Sequence, residues 1–295
     1  MLEKCNLCPF NCNVNREEGF LGRCRAGKNI KYALSSLHYN EEPCISGKSG
    51  SGTVFFSNCN LKCVFCQNYE ISSEEYGKEI SDEELADIFI ELQNKKANNI
   101  NLVTPTPYVY QIIDAIKIAK EKGLNIPILY NTSGYEKVET LKLLDGLVDI
   151  YLPDFKYADN NLAKRLSLID NYYEVAKDAI KEMYRQVGSP KLNKYGIIEK
   201  GLIIRHLILP NHIDNTKKVL SWINENIDKD VYVSIMSQYF PSYKAKEIED
   251  INRKINYEEY KEVEDYLFSL DIENGYMQDY IEDENEEKYV PDFKK

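Results

Sequence analysis

No cysteine follows Cys66 in this chain of 295 residues, although eight cysteines occur up to that position. Only three histidines are present, and they are dispersed, so the chain has no histidine-based metal motif. Basic residues are also in the minority, with 37 Lys and Arg against 48 Asp and Glu and a net charge of −11. This balance argues against a broad nucleic-acid-binding surface, because phosphate recognition needs clustered Lys and Arg.

Long apolar runs are missing as well. The chain has no run of about 18 apolar residues, so no membrane-spanning segment and no membrane partner are expected. Its first residues, MLEKCNLCPF, lack the apolar core of a signal peptide, and we therefore expect a cytoplasmic protein. In a reducing compartment, clustered cysteines indicate bound metal rather than disulfides.

Short apolar runs that are typical of strands alternate with amphipathic, helix-like patterns from Thr53 onwards. The alternation predicts an α/β fold with a parallel sheet of about six β/α units, a partial (β/α)6 barrel with fewer units than a TIM barrel. Residues 1–50 are predicted to form a small cysteine-rich, metal-bound cap, and 51–242 the barrel. Residues 243–276 are predicted to be a C-terminal helical segment, and 277–295 an acidic tail in which IEDENEEKY is solvated.

Polar residues follow almost every predicted strand. In a parallel sheet the carboxyl ends of the strands form one edge, and ligands bind there. The polar residues at this predicted edge are Asn58 and Cys59, Thr104 and Thr106, Asn131 to Ser133, Asp154 and Lys156, and Ser237 and Gln238.

Residues 57–70 read SNCNLKCVFCQNYE and place Cys59, Cys63 and Cys66 at C-x3-C-x2-C spacing. A structural zinc site takes four ligands, and an iron–sulfur cube usually takes four cysteines. With no histidine nearby, three thiolates leave one iron of a cube open to bind a small molecule directly. The alternative is a non-enzymatic structural or interaction module in which the cysteines bind zinc.

The loop, with Phe65 before its last cysteine, resembles the cluster loop of the radical S-adenosylmethionine (SAM) superfamily. The resemblance implies a [4Fe–4S] cluster on Cys59, Cys63 and Cys66, with SAM chelated to the open iron. It also implies that one electron cleaves SAM to methionine and a 5′-deoxyadenosyl radical, which abstracts a hydrogen atom from a substrate. An electron donor such as flavodoxin or ferredoxin is the implied partner.

Further segments, among them CNLCPFNC, EEPCISG, NLVTPTP, YNTSGY, LPDFKY and IIRHLILP, resemble the group related to pyruvate formate-lyase activating enzymes. That group implies formation of a glycyl radical on a partner protein; the alternative is modification of another peptide or of a small metabolite. Two departures bear on this choice. VTPTP stands where the family has a Gly-Gly-Glu type segment, and Asn131 stands where it has Asp, so a carboxylate for a bound metal cation is missing.

By this resemblance Phe65 lies against the adenine, Asn68 contacts SAM, and Lys156 pairs with the SAM carboxylate beside Asp154. Arg205 matches a family arginine near the substrate opening. The remaining residues predicted to bind the cofactor follow other strands: Thr104, Thr106, Asn131, Ser133 and Gln238.

Four other cysteines, Cys5, Cys8, Cys12 and Cys24, have C-x2-C-x3-C-x11-C spacing and predict a metal site in the cap. Four thiolates suit either a structural zinc ion or a second iron–sulfur cluster. Cys44 is left over and is expected to be a small buried apolar residue.

Overall fold

The computed structural model describes residues 2–281 and 291–293. The strands in this part of the chain are β1 (Ile30–His38), β2 (Ser51–Phe56), β3 (Lys78–Ile80), β4 (Ile100–Val103), β5 (Ile128–Thr132), β6 (Ile150–Pro153), β7 (Lys191–Leu192), β8 (Ile198–Leu207), β9 (Tyr232–Met236) and β10 (Gly275–Met277). The helices there are α1 (Pro43–Ser46), α2 (Tyr69–Ser72), α3 (Asp82–Asn94), α4 (Val109–Glu121), α5 (Val138–Leu141), α6 (Asn160–Ser167), α7 (Tyr172–Val187), α8 (Ile213–Asn226) and α9 (Tyr257–Phe268).

One sheet contains all of these strands in the order β10-β9-β8-β6-β5-β4-β2-β1-β3, with β7 attached to β8. The neighbours from β2 to β10 are parallel, whereas β1 is antiparallel to both β2 and β3. The sheet is not closed, because its order has two ends, β10 and β3. The predicted α/β fold with a partial parallel barrel is confirmed.

The burial of the central strands explains why their sequences are continuous apolar runs. Every residue of β2, β5 and β6 is buried, as expected for strands that are covered on both faces. The helix α3 begins with a complete capping box between Ser81 and Glu84 and turns Leu85, Phe89 and Leu92 toward the sheet. Helices therefore cover the outside of the sheet, and the functional edge lies where the parallel strands end.

Two segments differ from the sequence-based boundaries. Residues 30–38, predicted as part of an irregular cap, form β1 and pair with β2 along most of its length. Most residues of β1 are only half-buried, so the strand lacks the clear alternation that would reveal it. Residues 275–277, at the predicted border between the helical segment and the tail, add a short parallel strand beside β9.

The predicted acidic tail lies partly outside the described residues, which omit 282–290 and 294–295. Where the chain is described again, Phe293 is buried and packs edge-on against Phe55 with ring centroids 5.3 Å apart. The stretch predicted to be solvated, IEDENEEKY, lies outside the described residues except for its first residue. Within the described ranges, no helix is both long and apolar enough to cross a membrane.

Candidate active site

A cavity of about 250 Å³ lies at the edge where the parallel strands end. The structure brings almost all of the predicted catalytic and cofactor-binding residues to its wall: Cys59, Cys63, Phe65, Cys66, Asn68, Thr104, Asn131, Ser133, Asp154, Lys156, Arg205 and Gln238. The convergence follows from the parallel topology, because every β/α unit delivers its strand end to the same edge.

The cysteine loop is held in place by the residue that precedes it. Asn58 has a positive φ of 71° and donates its backbone N–H to the carbonyl oxygen of Ile71. Its side-chain oxygen accepts a hydrogen bond of 2.8 Å from the buried hydroxyl of Tyr108. Asparagine tolerates the left-handed conformation better than most residues, so the sequence allows this turn directly after β2.

The three cysteines of the loop are half-buried, and two of their sulfurs have a serine hydroxyl as partner. The Ser167 hydroxyl donates to the Cys63 sulfur at 2.9 Å, and the Ser72 hydroxyl lies 3.2 Å from the Cys66 sulfur. Burial raises the pKa of all three thiols, that of Cys63 to about 11 even though the nearby Lys156 acts to lower it. Thiolates here need a bound cation to be stable, which is what a metal centre supplies.

The donor set fits an iron–sulfur cube. No group of three or more His, Cys, Asp or Glu side chains that could hold a metal ion is present among residues 2–281 and 291–293. A cube differs from a single ion, because each of its irons takes one thiolate. The Asn68 side-chain oxygen, beside the last cysteine, is buried and lacks a hydrogen-bond partner among the described residues, so the cavity offers an unused acceptor where SAM is expected.

A charged network lines the same cavity as the cysteine loop. Asp154 accepts hydrogen bonds from Lys156 at 2.6 Å and from Arg205 at 2.9 Å, and all three side chains are largely buried. Burial acts to raise the pKa of Asp154, but the two cations outweigh it and the pKa is lowered. Burial likewise acts to lower the pKa of Lys156, and Asp154 reverses the effect. The carboxylate and both cations therefore remain charged inside the cavity.

Arg205 is bound at each of its three nitrogens. Besides Asp154, it donates to the Asn131 side-chain oxygen at 2.7 Å and to Glu41 at 3.2 Å. Glu41 in turn accepts from the Asn101 amide at 3.0 Å. The cation that the neutral Asn131 side chain binds is thus the Arg205 guanidinium of the protein itself.

Glu41 and His38 line the cavity but were not predicted from the sequence. His38 is the last residue of β1, and Glu41 follows this strand, which the sequence pattern did not reveal. Burial and the charge of Arg205 lower the pKa of His38, so its imidazole is neutral near neutral pH. The paired acidic residues in EEPC, in a segment poor in other charge, were the available signal for Glu41.

The backbone between two strand ends is fixed by a buried tyrosine. The Tyr172 hydroxyl lies 2.7 Å from the carbonyl oxygens of both Ser133 and Asp154, and it accepts a 2.9 Å hydrogen bond from the backbone N–H of Lys156. Gly134 has a φ of +77°, and a Cβ there would lie 2.5 Å from the Asp154 carbonyl oxygen. Only glycine fits this close approach.

Thr106 is the exception among the predicted cofactor-binding residues. Thr104 has a φ of +60°, donates its N–H to the Asn131 carbonyl oxygen and lines the cavity. Thr106 is buried behind that wall, where its hydroxyl and that of Thr132 both donate to one oxygen of Glu136. Its role as a SAM contact stays a prediction, since the structure places it outside the cavity lining. Burial raises the pKa of Glu136 to about 7.

The four predicted ligands of the cap, Cys5, Cys8, Cys12 and Cys24, do not line the cavity. None of the eight cysteines is in a disulfide. Cys8 and Cys24 are each close enough to Cys12 for their charges to interact, and Cys24 also interacts with Cys5. No group of three or more described side chains that could hold a metal ion includes these four cysteines, so the metal site of the cap stays a prediction. Cys44 is buried, as predicted.

Comparison with known proteins gives a consistent result. Residues 53–223 match the model of the radical SAM superfamily. An uncharacterised protein of Methanocaldococcus jannaschii is 36% identical over 293 residues, which cover 96% of this chain and 78% of that protein. The pyruvate formate-lyase-activating enzyme of Clostridium pasteurianum is 24% identical over 241 residues, covering 77% of this chain and 93% of the enzyme.

Solved structures with a similar fold include SuiB of Streptococcus suis bound to the precursor peptide SuiA. Its TM-score is 0.50 at 15% identity, and the match covers 75% of this chain and 46% of that one, so the chain spans less than half of that protein's length. A spore photoproduct lyase mutant has a TM-score of 0.50 at 14% identity, covering 76% of this chain and 74% of that one. These likenesses concern the fold alone.

Proposed function

The chain belongs to the radical SAM superfamily, and on that premise we propose that it is an enzyme that cleaves SAM reductively at a [4Fe–4S] cluster held by Cys59, Cys63 and Cys66. The observation that carries this proposal is the convergence of the three half-buried cysteines with the charged network in one cavity. When bound, the cluster and SAM supply the chemistry, a one-electron cleavage that yields a 5′-deoxyadenosyl radical for hydrogen abstraction.

The protein's contribution is binding, orientation and exclusion of water. The Lys156 ammonium interacts with both Cys63 and Asp154, so it can bind a ligand carboxylate beside the cluster. Phe65 supplies an apolar surface for the adenine, and Asn68 an unpaired amide oxygen for a donor on SAM. Asp154 keeps the two cations in place while the ligand enters. No general acid or base is required, because hydrogen-atom abstraction depends on position.

The substrate that we propose is a glycine residue of a partner protein, which would carry the resulting glycyl radical. The weak similarity to the Clostridium pasteurianum activating enzyme supports this choice. The second candidate is modification of another peptide or of a small metabolite. It is favoured by Asn131, whose side chain binds Arg205 instead of providing the carboxylate that the activating enzymes carry.

The proposal includes an electron donor such as flavodoxin or ferredoxin and a cytoplasmic location. Eight unpaired cysteines suit a reducing compartment. We also propose that Cys5, Cys8, Cys12 and Cys24 hold a metal, either a zinc ion or a second iron–sulfur cluster. Their C-x2-C-x3-C-x11-C spacing in the sequence supports this assignment.

The test begins with anaerobic purification and reconstitution of the full chain. Iron, sulfide and zinc are measured, and electron paramagnetic resonance spectra of the reduced protein are recorded with and without SAM. Wild type and Cys63→Ala are compared in an assay for 5′-deoxyadenosine. We expect a cube signal that changes on addition of SAM, and deoxyadenosine from wild type only.

A protein that binds zinc alone and leaves SAM intact would refute the enzymatic proposal. For the substrate, the reduced enzyme and SAM are incubated with a candidate glycyl-radical enzyme. A glycyl-radical signal on that partner is the expected result. Deoxyadenosine formation with no such signal on any candidate partner would favour the second candidate.

A further inference from the structure

Ser167 is the last residue of α6, and its hydroxyl donates a hydrogen bond to the Cys63 sulfur at 2.9 Å. The serine is completely buried, so bulk water does not compete for its hydroxyl. Cys63 lines the cavity and is one of the three predicted cluster ligands. The contact therefore joins a helix outside the cluster loop directly to a ligand sulfur.

The direction of the Ser167 hydroxyl is fixed by a second residue. The Tyr157 hydroxyl lies 2.7 Å from the Ser167 oxygen and is also completely buried. Because the single hydroxyl hydrogen of Ser167 is directed to the sulfur, the tyrosine is the donor in this pair. The Tyr157 ring packs edge-on against that of Tyr172, with centroids 5.2 Å apart. The chain of hydrogen bonds from Tyr157 through Ser167 to Cys63 thus has one direction.

The backbone at the end of α6 holds the cluster loop at the same point. The Leu166 carbonyl oxygen accepts a hydrogen bond from the Val64 N–H at 2.9 Å, and the Ser167 carbonyl oxygen accepts one from the Lys62 N–H at 3.4 Å. The last carbonyls of a helix have no partner inside the helix, and here the cluster loop supplies their donors. The distance between the Ser167 hydroxyl and the Cys63 sulfur is therefore set by backbone contacts on either side of the cysteine.

The three cysteines of the loop differ in their hydrogen-bond partners. The Ser72 hydroxyl lies 3.2 Å from the Cys66 sulfur, but either atom can be the donor in that pair. The Cys59 sulfur lies 3.8 Å from the Asn60 side-chain oxygen, which cannot donate a hydrogen. Cys63 is thus the cysteine whose hydroxyl donor is oriented by a further hydrogen bond.

We propose that Ser167, oriented by Tyr157, raises the reduction potential of the [4Fe–4S] cluster through its hydrogen bond to Cys63. Reduction takes one electron from the donor protein and no proton, so the negative charge on the thiolate sulfurs increases. A hydrogen bond to a sulfur becomes stronger as that sulfur gains negative charge, and it therefore favours the reduced state. Ser167 and Tyr157 are positioning residues, since they act through Cys63. The inference rests on the proposed function and adds to it the residues that set how readily the cluster accepts its electron.

The test compares Ser167→Ala and Tyr157→Phe with wild type in the full chain after anaerobic reconstitution. A second buried pair provides matched controls, because the Tyr184 and Ser189 hydroxyls lie 3.1 Å apart and neither residue lines the cavity. Tyr184→Phe and Ser189→Ala are therefore made as well. Iron and sulfide per chain are measured first. The reduction potential is then determined without SAM, by titration with dithionite and redox mediators followed by electron paramagnetic resonance, and the melting temperature is measured on the same samples.

We expect Ser167→Ala to make reduction about tenfold less favourable, which lowers the potential of a one-electron couple by about 59 mV. Tyr157→Phe should have a smaller effect in the same direction, because Ser167 keeps its hydrogen but loses the donor that orients it. Tyr184→Phe and Ser189→Ala should retain the wild-type potential even where the melting temperature falls.

A wild-type potential in Ser167→Ala that holds a complete cube would overturn the inference and assign the serine a packing role. If Ser167→Ala does not assemble a cube, Tyr157→Phe decides, and a wild-type potential in that variant has the same meaning. If wild type itself forms no cube, the proposed function fails and the inference fails with it. The iron and sulfide content separates that outcome from a failure of the inference alone.

Discussion

Glu136 is buried close to the cap and the cavity wall, and replacing it with Gln should stabilise the protein increasingly as the pH rises. Burial raises the pKa of Glu136 to about 7, although hydrogen bonds from Thr106 and Thr132 act to lower it. The difference from the ordinary value of 4.5 corresponds to about 3 kcal/mol of folding free energy, since one pH unit is worth about 1.4 kcal/mol. Its second carboxylate oxygen lacks a partner among the described residues, which fits this penalty.

The sign follows from which state holds the proton. Between the two pKa values the unfolded chain loses the Glu136 proton while the folded protein keeps it, so a rising pH favours the unfolded chain. The destabilisation by Glu136 is small when the pH is at or below the pKa of the unfolded chain, and it reaches about 1 kcal/mol at about pH 5.5. It is fully developed when the pH lies above the pKa of the folded protein. Glu136→Gln keeps an oxygen that can accept from both threonine hydroxyls and removes the ionisation.

The assay is urea unfolding of anaerobic wild type and variant at about pH 5.5, 7 and 8.5, with equal metal content verified at each pH. The stability difference should favour the variant by about 3 kcal/mol at the highest pH and shrink toward about 1 kcal/mol at the lowest. Glu139→Gln, at an exposed position in the same turn, should show no such trend. A difference for Glu136→Gln that does not change with pH would refute the reasoning.

Three further substitutions test the cavity wall. Asp154→Asn leaves the buried side chains of Lys156 and Arg205 without their shared carboxylate, and should lower the free energy of unfolding by about 3–5 kcal/mol. A loss below about 1 kcal/mol in urea titration would contradict the buried network. Tyr108→Phe removes the hydroxyl that donates to the Asn58 side-chain oxygen, and should lower the free energy of unfolding by about 1–3 kcal/mol and the iron content after reconstitution. Unchanged stability and iron content would show that the cysteine loop does not depend on this hydrogen bond. Gly134→Ala forces a Cβ against the Asp154 carbonyl and should lower both the melting temperature and the affinity for SAM in calorimetry; wild-type values for both would rule out the close approach.

Much of the site could be predicted from the sequence because residues that follow parallel strands all lie at the same edge of the sheet. Asn131, Asp154 and Lys156 each follow an apolar run, and the carboxyl ends of parallel strands meet at one edge. The strands themselves were recognisable because burial on both faces requires unbroken apolar segments. The apolar runs and the parallel topology are therefore enough to predict that these side chains share a cavity.

The remaining features depend on local conformation and on contacts between distant residues. Thr104 and Thr106 follow the same predicted strand, but only Thr104, which has a positive φ, lines the cavity. Glu41 reaches Arg205 through the pairing of β1 with β2, and that pairing is antiparallel where all the recognised strands are parallel. Neither a turn conformation of this kind nor the position of an edge strand follows from apolar periodicity.

The first fifty residues contribute His38, Asn40 and Glu41 to the cavity. Their strand β1 covers the edge of β2, and Glu41 completes the binding of Arg205 inside the cavity. The cap itself is fastened to the barrel near α5, where the Thr140 hydroxyl donates to the Leu7 carbonyl oxygen. Deleting this segment would expose the β2 edge and leave Arg205 with one carboxylate fewer, so we expect a truncated protein to lose SAM cleavage whether or not the cap binds a metal. Point substitutions at the cap cysteines leave β1 and Glu41 in place. They therefore test the role of these cysteines separately from the contribution of the segment to the cavity.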